Sequence, residues 1–158
     1  EVTQEICAAA GFDGYEVSNH AIDGAESVHN QIYWRYGDYA GIGPGAHGRL
    51  TLNGVRHATE APLNPAKWLS QVHKTANGDR ARIALSHDDQ VAEFLLMGMR
   101  LTDGVDLDRF HLSNDVILTR KINALREIEM VVHEGSQLRL TLKGRPVLNA
   151  VLRELLDA

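Results

Sequence analysis

Apolar residues recur along this chain with two periods, and the change of period divides it into elements. Val2, Ile6 and Ala9 or Ala10 fall on one side of a helix that Gly11 terminates. YEVSNHA (15–21) alternates apolar and polar residues and predicts a strand. Residues 22–37, rich in Gly, Asp, Asn and Ser with embedded aromatics, predict an ordered loop, and DYAGIG a short buried strand. HGRLTLNGVRHAT predicts a hairpin, because Asn53-Gly54 suits a type I′ turn. NPAKWLSQVHK (64–74) predicts a helix with Asn64 as its N-cap and Pro65 at its first position.

Residues 75–86 are polar and then briefly strand-like, and predict a linker. SHDDQVAEFLLMGMRL predicts a helix capped by Ser86 or Asp88, with apolar residues nearly all round it, as in a buried helix. DGVDLDRFHL predicts a turn and a short helix. SNDVILTRKINALREIEM predicts a longer helix with Leu118, Ile122, Leu125 and Ile128 or Glu129 at helical spacing. VVHEGSQLRLTL predicts a hairpin around residues 134–136. Thr141 then caps a last helix striped by Val147, Val151 and Leu155 and widened by Leu148 and Leu152. This order of helices and hairpin predicts a winged-helix arrangement.

Composition narrows the class. The chain has 158 residues, 44% hydrophobic and 23% charged, as in a soluble globular protein that can bury a core. No run of about 18 apolar residues predicts a membrane span, and the N-terminal stretch lacks the pattern of a signal peptide. Without an initiator Met, the chain is expected to begin inside a longer protein. The net charge is −5, which argues against non-specific nucleic-acid binding. Cys7 is the only cysteine. That excludes an internal disulfide, fits a reducing cytoplasm, and excludes an iron–sulfur cluster ligated by cysteines of this chain alone.

Candidate chemistry concentrates in HNQIYWRYGDYAGIGPGAHG (29–48). Gly43, Gly45 and Gly48 spell a literal GxGxxG. A dinucleotide fingerprint needs a helix to open at its third glycine. Gly48 instead precedes a β-like hairpin, so the reading fails, and the glycines mark a strand end where backbone or ligand comes close. His20, His29, His47 and His57 show no metal-ligand spacing. His29 stands apart because Tyr33 and Trp34 follow it, as an imidazole beside large aromatics would suit a flat cofactor such as haem. The helix around 115–129 carries Arg120, Lys121 and Arg126, but residues 86–158 hold nine basic against twelve acidic residues. A DNA-reading wing is therefore not expected. No GxSxG supports a serine nucleophile.

YEVSNHA, HNQIYW, RYGDYAGIGPGAHG, AEFLLMGMRLTDGVDLDRF and LRLTLKGRPVLNAVLRELL, in that order, resemble the C-terminal part of the oxygen-independent coproporphyrinogen III oxidase-like family. This is a radical S-adenosylmethionine (SAM) group, and the HNxxYW motif resembles its HemW-type haem-chaperone branch. The resemblance implies an α/β fold: terminal strands and helices of a partial (β/α) radical-SAM barrel over 1–75, a linker at 76–86, and a small helical, winged-helix-like α+β C-terminal domain at 87–158. It implies haem binding by His29, Asn30, Tyr33 and Trp34, with His29 as candidate iron ligand, and a SAM pocket near Gly43, Gly45, Ala46 and His47. SAM and a [4Fe–4S] cluster are expected in the full-length protein. The cluster-binding CxxxCxxC is absent here, so no cofactor should be held firmly and no radical chemistry run unaided. Expected partners are the rest of the barrel, haem or a porphyrinogen, and a second copy through an unpaired sheet edge. The alternatives are a true coproporphyrinogen oxidase and a non-catalytic winged-helix interaction module.

Overall fold

Capping side chains and turn residues set most of the element boundaries in the computed structural model, which describes residues 2–157. In chain order the helices are α1 (Val2–Ala9), α2 (Val28–Trp34), α3 (Pro65–Thr75), α4 (His87–Gly98), α5 (Val116–Glu127) and α6 (Leu148–Leu156). The strands are β1 (Asp13–Gly14), β2 (His20–Ala21), β3 (His47–Leu52), β4 (Val55–Glu60), β5 (Ala81–Ala84), β6 (Val105–Asp106), β7 (Val131–Glu134) and β8 (Gln137–Leu140). The fold is thus a mixture of helix and sheet, and the pairings β1–β2, β3–β4–β5 and β6–β8–β7 are all antiparallel.

The chain packs as two units. One comprises the residues up to Tyr36 together with those from Val91 onward, and the other comprises Gly37–Gln90. The first unit holds a single apolar core, in which Phe94, Leu95 and Met99 of α4 meet Leu118, Ile122 and Leu125 of α5 and Leu148, Val151, Leu152 and Leu155 of α6. Leu138 of the β7–β8 hairpin is fully buried in it. The helical stripes expected for α5 and α6 are therefore the core faces, except that Ile128 and Val147 are exposed. Asp115 caps α5 by accepting from the Ile117 and Leu118 N–H groups. Ser86 and Asp89 cap α4 reciprocally, each side chain accepting the other's backbone N–H. Thr141 accepts from the Gly144 N–H, so it caps the turn before α6 and not the helix itself.

The second unit is a three-stranded sheet with α3. Asn53 and Gly54 both take positive φ in the β3–β4 turn, as expected, and Asn64 caps α3 through the Lys67 N–H. Residues 81–84, expected to fall in a linker, pair with β4 as a third strand.

Three other local expectations give way. YEVSNHA is not one continuous strand: only His20–Ala21 pair, as β2, because the Glu16 carboxylate accepts from the Ser18 N–H and the Asn19 amide and bends the chain into a turn before them. The loop expected at 22–37 contains α2, which Ser27 starts by accepting from the Asn30 N–H. DYAGIG makes only an isolated bridge, Tyr39 to Arg49, and Ile42 is 87% exposed, so no buried strand forms there. Positive φ at Gly43 and Gly45 turns the backbone instead.

Candidate functional site

Helix α2 sorts the HNxxYW residues into two pairs, since residues four apart share a helix face. His29 and Tyr33 form one pair. The His29 Nε2 lies 2.8 Å from the Tyr33 hydroxyl, and the rings meet edge to face with centroids 4.7 Å apart. His29 is exposed and Tyr33 half-buried. Val28 and Ile32 continue the same arc of the helix and leave 76% and 39% of their surface exposed. Asn30 and Trp34 form the second pair, and both are half-buried. The Trp34 ring is 6.1 Å from that of Tyr15. It also borders a cleft of about 290 Å³ with Phe94, Gly98 and Arg109.

The C-terminal end of α2 is held from outside the helix. Tyr36 adopts φ +57, and the Arg109 guanidinium donates to the carbonyls of Arg35 (2.6 Å) and Tyr36 (3.0 Å). The same guanidinium lies 5.5 Å from the ring centroids of Tyr36 and Phe94. Arg35 pairs with Asp103 at 2.8 Å. Gly98 permits the close approach, because a Cβ there would sit 2.2 Å from Val105 Cγ1 and 3.6 Å from the Trp34 carbonyl.

A buried charge sits behind this helix in sequence. Glu16 is 1% exposed. Its carboxylate accepts from Ser18 N–H (2.8 Å), Ser18 Oγ (3.1 Å) and Asn19 Nδ2 (2.8 Å), and it lies 2.5 Å from the Arg100 guanidinium. Burial pushes its pKa up, but the hydrogen bonds and Arg100 outweigh that and hold it below the ordinary carboxylate value. Burial lowers the Arg145 pKa, and the charge of Glu16 opposes the shift.

The glycine segment lies in the second unit. Gly48 is the register partner of Thr59, and a Cβ on it would stand 2.5 Å from Thr59 Oγ1 and 2.8 Å from the Gly41 nitrogen. The third glycine of the GxGxxG therefore serves backbone packing, and the strand β3 runs through it where a dinucleotide fold needs a helix. Gly45 donates its N–H to the Pro62 carbonyl. Gly43 borders a cleft of about 250 Å³ with Gly41, Leu50, Trp68, Asn77 and Asp79. Gly45, Ala46 and His47 do not line it, and His47 is exposed.

The remaining candidates lie apart from α2 in sequence. His57 Nδ1 is 2.9 Å from the Val55 carbonyl, and His20 lies in β2 with Nε2 buried. On α5, Lys121 donates to the carbonyls of Leu155 and Asp157, and Arg126 to Asn123. These two cations are engaged within the unit. Among the described residues no group of three His, Cys, Asp or Glu is placed to hold a metal, and no helix is long and apolar enough to cross a membrane. Cys7 is half-buried and free. The residues present therefore do not fit a [4Fe–4S] cluster. Sequence reasoning missed Glu16 and Arg109. Glu16 hid inside an apparent alternation, and Arg109 acts across 74 residues of chain.

Residues 85–147 match the HemN C-terminal domain. The chain is 34% identical over 163 residues to the mitochondrial radical S-adenosyl methionine domain-containing protein 1 of Bos taurus, covering 96% of the chain and 37% of that protein. It is 29% identical over 160 residues to the heme chaperone HemW of Lactococcus lactis, covering 99% of the chain and 41% of that protein. Among solved structures it is similar to the coproporphyrinogen III oxidase (HemN) of Escherichia coli, with a TM-score of 0.69 and 15% identity over 99% of the chain and 39% of that structure. The chain thus spans about two fifths of the length of these proteins.

Proposed function

We propose that the chain, whose residues 85–147 match the HemN C-terminal domain, belongs to the oxygen-independent coproporphyrinogen III oxidase-like family of radical SAM proteins, and that it is the haem-holding part of a HemW-like haem chaperone. One observation carries the reading. Helix α2 sets an imidazole and a phenol, exposed His29 and half-buried Tyr33, beside the uncovered apolar side chains of Val28 and Ile32. Haem would present a flat apolar face and an iron that accepts nitrogen or oxygen donors, and this arc offers a matching apolar surface with His29 and Tyr33 as such donors. In this reading His29 and Tyr33 face the haem, while Asn30 and Trp34 hold the helix that presents them.

The cofactor assignments follow the family. SAM and a [4Fe–4S] cluster belong to the radical SAM portion, and when bound they would supply one-electron chemistry. This chain contributes at most the glycine turn at Gly43, Gly45, Ala46 and His47 beside SAM, and no cluster ligand. We keep the kinship division of barrel part (1–75), linker (76–86) and C-terminal domain (87–158). The further partners in this reading are the remainder of a longer radical SAM protein and, through the β5 edge of the β3–β4–β5 sheet, a second copy. We assign the protein to the cytoplasm, whereas the bovine relative is named mitochondrial.

Titration with ferric haem tests the reading. The chain is expected to shift the Soret band and to saturate at one haem. The double variant His29→Ala/Tyr33→Phe is expected to abolish the shift while its circular dichroism stays unchanged. Absence of a shift in the native chain, or full binding by the folded double variant, would refute it.

A further inference from the structure

Four exposed residues at the surface of α2 and its C-cap form one continuous strip. Val28, His29, Ile32 and Arg35 are exposed, and the spacing i, i+1, i+4, i+7 sets them side by side on a helix. We infer that Arg35 recognises the propionate carboxylates of haem, so that haem lies along α2 with its propionate edge toward the C-terminal end of the helix. This inference rests on the haem reading above and gives that site its orientation.

The strip changes chemistry from one end to the other. It opens with the imidazole of His29, beside the Tyr33 hydroxyl. It closes with the Arg35 guanidinium, whose side chain is 54% exposed. Around the helix axis, the uncovered Val28 and Ile32 fall between these two. Haem is asymmetric in the same sense: its iron lies at the centre of a flat apolar ring, and both propionates leave from one edge. Six residues of rise, about 9 Å, separate His29 from Arg35, so one flat ligand laid on the strip meets both. The opposite orientation would send the carboxylates toward the N-terminal end of α2. The stretch that leads into that end, residues 21–27, carries Asp23 and Glu26 and no Lys or Arg.

Arg35 is placed for this exchange. Its Nε donates to Gln31 Oε1 (3.0 Å), one turn back, which lays the side chain along the helix. Its Nη2 lies 2.8 Å from Asp103, in a pair whose side chains are 54% and 56% exposed. A pair this exposed contributes little, so a propionate can take the place of Asp103. A guanidinium also forks two N–H groups toward one carboxylate. The grip of Arg109 on α2 uses the Arg35 carbonyl, which any residue at this position supplies.

Binding of haem and of haem dimethyl ester, in which the carboxylates are masked, tests the inference in the native chain, Arg35→Gln and Asp103→Asn. The chain carries a net charge of −5, so without a local cation the ester would be favoured. The native chain is expected to bind haem more tightly than the ester. Arg35→Gln is expected to weaken haem binding about fivefold, the upper end for an exposed pair, and to leave ester binding and the circular dichroism unchanged. Asp103→Asn removes the competing carboxylate and is expected to tighten haem binding. Haem bound no more tightly than the ester by the native chain, or a haem preference that survives Arg35→Gln, would overturn the inference and leave the haem reading standing. Neither ligand bound by the native chain would overturn both.

Discussion

Replacing Glu16 by Gln should destabilise the first unit by about 3 kcal/mol, and the loss should vanish in acid. The carboxylate is completely enclosed, its side chain being 0% exposed, and it meets a guanidinium that remains 35% exposed. Breaking a buried ion pair by removing one partner costs about 3–5 kcal/mol. Arg100 can recover part of its hydration, which places the cost at the lower end. Gln still accepts from Ser18 and Asn19, but its amide group turns donors toward Arg100 and leaves Arg145 without a counter-charge. Urea unfolding is a suitable assay, with Trp68→Phe as background so that Trp34 alone reports on the first unit. At an m-value of about 1–3 kcal/mol/M, the midpoint should fall by about 1 M or more.

The pH dependence supplies the sharper check. The Glu16 pKa is lowered in the folded protein, so its contribution is fully present above the ordinary value of 4.5 and is lost as pH falls through the folded pKa. The gap between native and variant midpoints should be constant near neutrality and close progressively below pH 4.5. A Gln variant within about 0.5 kcal/mol of native at neutral pH, or a gap unchanged in acid, would refute the reasoning.

Two further outcomes follow from the support of α2 and the wing. Arg109→Ala should cost about 2–3 kcal/mol, because it removes charge-assisted donors from the carbonyls of Arg35 and buried Tyr36; thermal unfolding measures the cost, and haem titration should show weaker binding although Arg109 lies outside α2. Gly104→Ala should cost at least about 2 kcal/mol, because Gly104 has φ +71 and a Cβ there would lie 2.0 Å from the Leu138 carbonyl oxygen; a midpoint equal to native would show that the β6–β8 contact yields.

The local grammar of the chain was legible where one short stretch suffices to fix the conformation. Asn53-Gly54 can make its turn wherever it sits. Asn64-Pro65 and Asp115 satisfy the first amides of their own helices, and the stripes of α5 and α6 bury whatever their partners are. Rejection of the dinucleotide reading was local too, since it needed only the β-like residues after Gly48. The family motifs likewise named α2 as the stretch to watch, without disclosing that it is a helix.

What needed the tertiary structure is what depends on distant partners. Helix α2 has seven residues, too few to persist alone. It exists because Ser27 caps it, Trp34 packs near Tyr15, and Arg109 grips its end, and none of these contacts leaves a periodic trace in the sequence. Glu16 reads as the polar member of an alternating strand until Arg100, 84 positions away, arrives as its counter-ion. Strand β5 reads as linker because four residues carry little signal until β4 pairs with them. The sequence by itself determined each residue's preferences and which motif is the candidate for the chemistry. The tertiary structure decided which of those preferences were honoured, because burial and charge pairing act between residues that only folding brings together.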